Sequence, residues 1–184
     1  CDMTDEASIK SAIQPLLKAK RQIDVLVNNA GVATGGFLQM TSMQQIRDVF
    51  QINFFSHVYI TQMISKLMMR QKSGVIITMG RVAGLENFAG YTSYGSSKAA
   101  IMLFTKTIAR ELAPYGIRVN AIAPGLTDTG MAGQLEEKAW HEMVGRTDMN
   151  RLGKPEEIAN AIVWLASDAA SFLTGQIIRV DGGM

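Results

Sequence analysis

Apolar runs bounded by glycine, asparagine or aspartate recur four times along the chain. They read "IDVLVNN" from Ile23, "GVIITMG" from Gly74, "GIRVNAIAPG" from Gly116 and "GQIIRVDGG" from Gly175. Each run is rich in Val and Ile and does not alternate cleanly between apolar and polar residues, which is typical of strands buried on both faces. The pattern therefore predicts four strands of a sheet that is covered on both sides.

Residues with helical spacing occur both before and after the first of these strands. Residues 5–20 begin acidic and end basic, as the helix dipole favours, although Pro15 counts against an uninterrupted helix. Thr41 and Gln44, three residues apart, predict a capping box, and apolar residues recur at helical spacing behind them. These features predict one helix before the strand and a long helix from Thr41 to about Arg70.

Two more helices are predicted in the second half of the chain. Apolar residues recur every three or four positions over 97–112, and Pro114 ends that pattern. Pro155 suits the first position of a further helix, because acidic residues fill the turn behind it. Strands that alternate with helices predict an α/β fold, a doubly wound parallel sheet of the Rossmann type, in a single domain over 1–184. Ligands of such sheets bind beyond the carboxyl ends of the strands.

The stretch "GYTSYGSSKAA" contains side chains that could transfer a proton. Tyr94 and Lys98 lie four residues apart and so share a face of the predicted helix, whereas Tyr91 falls before it. A cation within about 4 to 6 Å can lower the pKa of a tyrosine by roughly 1 to 3 units, toward the range used in acid–base catalysis. Because this spacing alone is weakly specific, an amphipathic tyrosine beside a solvated lysine is the alternative.

The composition favours a protein that acts on small molecules. Of the 184 residues 47% are hydrophobic and 18% charged, and the net charge of +2 offers no broad basic field to nucleic acid or a membrane. No apolar run approaches the roughly 18 residues of a membrane span. Cys1 is the single cysteine, which excludes an internal disulfide and fits a cytoplasmic location. No metal centre is predicted.

Five motifs follow one another in an order that identifies a family. "NNAG" follows the first strand, Asn53 lies in the next helix, and "MGRVAG" follows the second strand. Tyr94 and Lys98 then form a YxxxK pair, and "APGLTDTG" follows the third strand. In this order the chain resembles the short-chain dehydrogenase/reductase family, most closely its 3-oxoacyl-acyl-carrier-protein reductase-like branch. The resemblance extends through essentially all 184 residues.

The resemblance implies an NAD(P)-dependent enzyme that interconverts a ketone and a secondary alcohol, with 3-oxoacyl thioesters among the candidate substrates. It implies that Tyr94 exchanges a proton with the substrate oxygen, and that Lys98 lowers the Tyr94 pKa and holds the nicotinamide ribose. It also implies that the backbone of Asn53 holds a water in a proton relay. An asparagine bonded to its own helix backbone is the alternative at that position.

The resemblance further implies contacts with NADP or NAD. The "NNAG" segment would line the cofactor, the acidic residue near the start would meet the adenine, and the loop after the third strand would lie beside the carboxamide. Ordinary turns and an incidental acidic residue are the alternatives. The implied cofactor residues are Asp2, Met3, Asn28, Ala30, Gly31, Tyr94, Lys98, Pro124, Gly125, Thr127 and Thr129.

Arg81 departs from the family pattern. It stands thirteen residues before Tyr94, where the resemblance leads us to expect the serine that binds the reacting carbonyl. A guanidinium is longer than a hydroxyl, is always charged and cannot accept a hydrogen bond. Loss of ordinary carbonyl reduction is therefore favoured over a direct contact between Arg81 and a substrate carbonyl or carboxylate. A catalytically silent subunit that keeps the fold for binding or assembly is the second hypothesis.

The glycine-rich phosphate loop of the family is absent from the sequence. We therefore expect a fold that is incomplete at the N-terminus, in the C-terminal part of a longer protein, with the strand from Ile23 lacking a neighbour. Residues 126–150 are expected to form a substrate lid. A homo-oligomer, dimer or tetramer, is expected through 41–70, 96–113 and 155–183.

Overall fold

A parallel sheet of four strands forms the centre of the protein. The computed structural model describes residues 1–19, 21–128, 141–142 and 144–184. Within these ranges the strands are β1 (Val25–Asn28), β2 (Gly74–Met79), β3 (Ile117–Pro124) and β4 (Ile177–Val180). Neighbouring strands pair in parallel, and their spatial order follows the chain. The four predicted strands are confirmed.

Helices cover both faces of this sheet. They are α1 (Glu6–Lys18), α2 (Met43–Phe50), α3 (Ser56–Gln71), α4 (Thr92–Leu112) and α5 (Pro155–Ala166). Along β2, Ile76 packs into an apolar cluster with α1, α3 and α4, and Ile77 packs into a second cluster with α5. Successive residues of one strand thus enter two apolar layers, which explains the lack of polar alternation. The predicted doubly wound α/β fold is confirmed, and none of the helices in the described ranges is long and apolar enough to cross a membrane.

The first helix runs through Pro15 without ending there. Asp5 caps its start, because the carboxylate accepts hydrogen bonds of 3.0 Å from two backbone N–H groups of the first turn. Ile9 and Ile13 are both buried against the sheet. The proline removes one backbone donor, but the burial of the apolar side keeps the helix together. Lys20, the predicted last residue, lies outside the described residues.

The capping box of α2 lies one residue later than predicted, so the prediction of Thr41 with Gln44 is wrong. The Ser42 hydroxyl accepts from the Gln45 N–H at 3.2 Å, and the Gln45 side chain accepts from the Ser42 N–H at 2.8 Å. Thr41 instead donates its hydroxyl to the carbonyl oxygen of Phe37 at 2.9 Å. The sequence permits both registers, and the use of Thr41 in the preceding turn decides between them.

The long helix predicted to about Arg70 consists of three segments. After α2 comes a π-helical segment, Gln51–Phe55, which continues directly into α3 and ends at Gln71. A π turn holds one extra residue and often marks a functional site. Here it contains Asn53, whose side chain is fully buried. The helix is confirmed in extent, and its interior departs from regular α geometry at Asn53.

Within the described part of the chain, β1 pairs only with β2. Val25 and Val27 of this strand are each 39% exposed, whereas Ile76 and Ile77 of β2 are fully buried. An apolar strand whose outer edge is open can pair with further chain or with another molecule. The side chains of β1 are therefore more exposed than those of β2, the strand with which it pairs.

Candidate active site

Tyr94 and Lys98 lie one turn apart near the start of α4. The helix begins at Thr92, and Tyr91 precedes it as the N-cap residue, as predicted. The Lys98 ammonium nitrogen lies 6.0 Å from the centre of the Tyr94 ring. The Tyr91 ring is also 6.0 Å from the Tyr94 ring, so it packs beside the pair. The structure brings the two predicted residues together.

Two glycines allow the loop after β2 to pack closely on the start of α4. A Cβ atom on Gly95 would lie 2.7 Å from the carbonyl oxygen of Ala83, and one on Gly84 would lie 2.7 Å from the backbone nitrogen of Ala99. Side chains at these positions would therefore push the loop away from the helix. This close packing fixes Arg81, at the beginning of the loop, beside the Tyr94 end of α4.

Lys98 is buried at the carboxyl end of β2, with 4% of its surface exposed. Its ammonium donates a hydrogen bond of 2.8 Å to the carbonyl oxygen of Met79, the last residue of that strand. Burial, together with a smaller effect of the nearby charge of Arg81, lowers the pKa of Lys98 to about 8. The ammonium is therefore largely protonated at neutral pH, but it releases its proton more readily than a solvated lysine does.

The pKa of Tyr94 is raised above its ordinary value because burial disfavours the phenolate. The positive charge of Arg81 opposes this effect, and Tyr91 adds to it. The sequence-based expectation was that Lys98 lowers the Tyr94 pKa. In this structure the net direction is upward, and the cation that opposes the increase is Arg81.

Asn53 joins the loop after β1 to α4. Its side-chain nitrogen donates to the Val32 carbonyl oxygen at 2.9 Å and to the Ser97 hydroxyl at 3.0 Å, and its side-chain oxygen accepts from the Val32 N–H at 2.9 Å. The Ser97 hydroxyl in turn donates to the carbonyl oxygen of Tyr94 at 2.7 Å. The alternative of a side chain bonded to its own helix is therefore wrong, since Asn53 spans two other elements.

The "NNAG" segment is held at both of its ends. The Asn28 side chain donates a hydrogen bond of 2.9 Å to the Thr61 hydroxyl, and both groups are buried. A Cβ atom on Gly31 would lie 3.3 Å from the Asn53 side-chain oxygen and 3.4 Å from the Lys98 ammonium nitrogen. Gly31 therefore keeps its backbone against both groups and leaves the space above them free of a side chain.

The loop after β3 lies against β4. Pro124 ends β3, and the N–H of Gly125 donates to the backbone of β4 at 3.0 Å. A Cβ atom on Gly125 would lie 2.6 Å from the Cα atom of Asp181, so only glycine fits there. The Thr127 hydroxyl donates to the carbonyl oxygen of Gly125 at 3.1 Å, which fixes the turn. Thr129, the predicted carboxamide contact, lies outside the described residues.

Asp2 and Met3 make their contacts away from the Tyr94 and Lys98 pair. The exposed Asp2 carboxylate accepts from the Thr4 N–H at 2.8 Å and from the Thr4 hydroxyl at 2.7 Å, and these bonds lower the pKa of Asp2. Met3 packs against the apolar cluster beneath α1, α3 and α4. In the described contacts, Asp2 therefore binds residues at the start of α1, and Met3 packs on the apolar core.

Arg81 lies between two cavities. One cavity, of about 270 Å³, is lined by Tyr94, Arg81 and Thr127, together with Arg146. The other, of about 390 Å³, is lined by Asn29, Arg81 and Thr127, together with the last residues of β2 and β3 and residues of α5. We call them the Tyr94 cavity and the Asn29 cavity. Arg81 and Thr127 border both.

A larger cavity lies on the outer side of the loop after β2. It has a volume of about 440 Å³ and is lined by residues such as Phe88, Tyr91 and Ser96. Neither Tyr94 nor Lys98 contributes to its wall. Because chemistry requires contact with the reacting groups, the smaller Tyr94 cavity is the better candidate for a substrate site.

His57 is a buried residue of the site that the sequence analysis did not identify. It lies in the first turn of α3, is fully buried, and its ring nitrogens form no hydrogen bond of regular geometry within the described residues. Burial and the charge of Lys98 lower the pKa of His57 to about 4, against a smaller opposing effect of the Ala30 backbone. His57 stands four residues after Asn53, a spacing that could have indicated a shared helix face.

Two comparisons with known sequences support one family. A family model described as enoyl-(acyl carrier protein) reductase matches residues 1–184. The 3-oxoacyl-(acyl-carrier-protein) reductase FabG of Thermotoga maritima is 40% identical over 183 residues, which cover 100% of this chain and 74% of that protein. The chain belongs to the short-chain dehydrogenase/reductase family. The resemblance noted in the sequence is confirmed.

Solved structures agree with this assignment. A 7α-hydroxysteroid dehydrogenase in complex with NADH and 7-oxo glycochenodeoxycholic acid is similar with a TM-score of 0.92 and 35% identity, over 100% of this chain and 72% of that chain. ElxO with NADP bound is similar with a TM-score of 0.91 and 30% identity, over 99% of this chain and 75% of that chain. Both likenesses extend over nearly the whole chain.

Proposed function

We propose that the protein is an NAD(P)-dependent oxidoreductase that interconverts a ketone and a secondary alcohol, with Tyr94 as the acid or base. The observation that carries the proposal is the buried Lys98 ammonium, one helical turn from Tyr94 and directly beside Gly31. A buried amine with a lowered pKa is a common mark of a functional site, and Tyr94, one turn away, lines a cavity. The hydroxysteroid dehydrogenase relative, complexed with NADH and an oxo steroid, supports the same chemistry.

The residues beyond the carboxyl ends of the strands fit a nicotinamide dinucleotide. A side chain on Gly31 would fill the space beside Lys98 and Asn53. The Asn29 cavity is lined by Asn29, two residues before Gly31, and by Met79, whose carbonyl oxygen accepts the hydrogen bond of Lys98. We assign the ribose to Lys98 and Gly31, and the carboxamide to the loop after β3. The bound dinucleotide supplies or accepts a hydride. NADP and NAD are both candidates, since relatives are solved with either type.

The remaining cofactor contacts belong to the same proposal. Asn28 and Ala30 support the segment that carries Gly31, and Asp2 with Met3 would meet the adenine. Pro124, Gly125, Thr127 and Thr129 would surround the carboxamide.

Tyr94 suits proton donation to a carbonyl oxygen. The phenol is protonated at neutral pH and can therefore donate its proton in the direction of reduction. Burial raises its pKa and makes it a weaker acid, an effect that the charge of Arg81 opposes. Lys98 has a pKa of about 8, close enough to neutral pH to replace that proton from its ammonium nitrogen. The backbone of Asn53, in the π-helical segment beside this pair, would hold the water that links Lys98 to solvent.

Arg81 takes the place of the hydroxyl that binds the reacting carbonyl. Its guanidinium borders the cavity that contains Tyr94, and it can donate to an oxygen on which negative charge develops. Unlike a serine, it brings a full positive charge and accepts no hydrogen bond. We therefore expect substrates that benefit from a cation near the carbonyl.

A catalytically silent subunit is the second candidate function. The observation that favours it is the position of Arg81 at the border of both cavities, where the long side chain could obstruct an ordinary ketone. Its charge also contributes to the lowered pKa of Lys98, which reduces the fraction of Lys98 that carries the positive charge needed to hold the ribose. Such a subunit would keep the fold for binding or for assembly.

Further expectations belong to this proposal. Residues 126–150 would act as a lid over the Tyr94 cavity, although 129–140 and 143 lie outside the described residues. The protein would form a homo-oligomer, dimer or tetramer, in the cytoplasm. Residues 1–184 would form one domain. Its substrate would be a small carbonyl compound or alcohol.

Cofactor titration followed by turnover separates the two candidate functions. NADPH and NADH are titrated by fluorescence, and a panel of activated ketones and 3-oxoacyl thioesters is then assayed with the protein and with Arg81→Ser. Arg110→Ser, an exposed change at the far end of α4, is the matched control. We expect binding of at least one nucleotide and reduction of at least one carbonyl by the unchanged protein.

Two outcomes count against the enzyme proposal. Turnover only after Arg81→Ser would identify Arg81 as the block and assign the silent function to the natural chain. Absence of both nucleotide binding and turnover in all variants would remove the oxidoreductase proposal altogether.

A further inference from the structure

Two arginines and no acidic side chain are found among the described residues that line the Tyr94 cavity. Arg81 lies on its inner side, next to Tyr94, and Arg146 lines it from the segment before α5. Apolar side chains such as Phe88 and Leu126 contribute other parts of the wall. None of the described residues that line the cavity is an aspartate or a glutamate. The cavity is therefore a short apolar space with positive charge at two places.

Neither Arg81 nor Arg146 belongs to an ion pair among the residues that the structure describes. The ion pairs of the described residues join Arg151 to Glu157 and Arg179 to Glu86 and Asp181. Arg151 and Arg179 thus have carboxylate partners among the described residues, whereas Arg81 and Arg146 border a cavity with no aspartate or glutamate in its described lining.

An anionic ligand beside a half-buried cation offsets the cost of burying its charge. Arg81 is partly buried and lies close enough to the buried Lys98 for its charge to act on that ammonium. Two neighbouring cations repel each other and attract an anion to the space in front of them. A planar guanidinium matches the geometry of a carboxylate through two parallel hydrogen bonds. The arrangement favours a ligand that carries negative charge near its reacting carbonyl.

We propose that the Tyr94 cavity binds small oxo acids and the corresponding hydroxy acids, with Arg81 holding the carboxylate and Arg146 attracting it at the cavity wall. This inference rests on the proposed oxidoreductase function. The cavity of about 270 Å³ is smaller than most drug-sized sites, which fits a short substrate. Arg81 thereby selects an acidic substrate at the position where a serine would accept neutral ketones.

The reaction on such a substrate balances without a further reactant. Reduction adds one hydride to the carbonyl carbon and one proton, from the Tyr94 hydroxyl, to the carbonyl oxygen. The C=O double bond becomes a C–O single bond, and the carboxylate is unchanged. The reductant is the reduced nicotinamide dinucleotide of the proposed function, which leaves in its oxidised form.

Binding of matched acids and esters tests the inference independently of turnover. Acetoacetate and 2-oxobutyrate are compared with their methyl esters by isothermal titration calorimetry, with and without NADPH. We expect each acid to bind about tenfold or more tightly than its ester, because a charge-assisted bidentate bond is lost in the ester. Arg81→Ser should remove most of this preference, and Arg146→Gln should reduce it by a smaller factor.

Two further variants test whether the preference depends on the shape of the guanidinium and on the position of the arginine. Arg81→Lys keeps the charge but loses the planar fork, so part of the preference for the acid should remain. Arg47→Ser changes an exposed arginine of α2 outside the cavity and should leave the preference intact. Arg146 is exposed, so its substitution tests the inference even where Arg81→Ser fails to fold.

The outcomes distinguish this inference from the proposed function. Equal binding of acids and esters, tighter binding of a neutral 3-oxoacyl thioester, or stronger competition by inorganic phosphate than by acetate would overturn it. Reduction of esters at the rate of acids would do the same while leaving the oxidoreductase function in place. An Arg81-dependent preference for acids without any turnover would support the inference and contradict the proposed function.

Discussion

At the scale of single residues, His57 couples proton binding to folding. The side chain is fully buried, and its pKa is lowered from 6.5 to about 4, chiefly because burial disfavours the imidazolium. The unfolded chain therefore binds a proton at a pH where the folded protein does not. The stabilising contribution is complete above pH 6.5 and is lost as the pH falls toward 4.

We predict that His57→Leu makes the protein less sensitive to acid. Between pH 7 and pH 4 the unchanged protein should lose about 3 kcal/mol more unfolding free energy than the variant, from the size of the pKa difference. Urea unfolding at a series of pH values measures this difference. His141→Asn, a change at an exposed histidine, serves as the control and should lose as much unfolding free energy between pH 7 and pH 4 as the unchanged protein does. Parallel pH profiles for the protein and His57→Leu would contradict the prediction.

Some residues of the site could be predicted from the sequence, and others could not. The four-residue spacing of Tyr94 and Lys98 follows from helical geometry, and the structure places both on α4. The direction of the Tyr94 pKa could not be predicted, since it depends on how deeply the ring is buried. Arg146 enters the cavity from a distant segment, and only the tertiary fold shows it.

At the scale of elements, Arg118 ties the end of α5 to the sheet. Its guanidinium donates to the carbonyl oxygens of Leu165 at 2.8 Å, Ala166 at 3.3 Å and Ser167 at 3.1 Å. The last carbonyls of a helix have no partner within the helix and carry partial negative charge. A cation from β3 therefore satisfies them and orients α5 over β2 and β3.

We predict that Arg118→Met lowers the unfolding free energy by about 2 kcal/mol, because three carbonyl groups lose a charged donor. Urea unfolding at pH 7 gives the value. Arg110→Met, an exposed change in the last turn of α4, is the matched control and should cost far less. Equal losses in the two variants would show that Arg118 does not hold α5.

The helices and strands could be predicted where the residues that specify them are neighbours in the sequence. The apolar runs from Ile23 and Gly74 predict strands, because a strand buried on both faces contains few polar residues. The register of the capping box was missed by one residue, since Thr41 and Ser42 both suit an N-cap and the choice depends on the turn before them. The π turn at Asn53 has no signal in apolar periodicity, because it shifts the helix by only one residue.

At the scale of the whole molecule, large apolar side chains remain exposed on the predicted assembly surfaces. Leu103 of α4 and Val163 of α5 are each 67% exposed, and Phe172 is fully exposed. The sequence pattern could not separate these residues from core residues at the same spacing. Apolar surface of this kind commonly belongs to an interface between protein chains.

We predict that Val163→Ser together with Phe172→Ser lowers the mass of the assembly, as measured by sedimentation velocity. The double change removes apolar surface that association would bury. Leu16→Ser, on α1 outside the predicted interfaces, is the control and should leave the mass unchanged. A monomeric unchanged protein would contradict the predicted homo-oligomer.

The order of the motifs carried more information about the molecule than any motif alone. "NNAG", the Tyr94 and Lys98 pair and the loop after β3 converge at one edge of the sheet, which follows from parallel strands in sequential order. The consequence of Arg81 could not be read from that order. It depends on which cavities the side chain borders and on the absence of aspartate and glutamate among the described lining residues.

The most direct test of the account is the comparison of Tyr94→Phe with Tyr91→Phe in NADPH- or NADH-dependent reduction of acetoacetate. Both changes remove one phenol oxygen, but only Tyr94 stands one helical turn from Lys98. We predict that Tyr94→Phe lowers kcat by about a hundredfold or more, as loss of a general acid does, while Tyr91→Phe stays within about threefold of the unchanged protein. Equal rates for the two variants would show that the proton does not come from Tyr94.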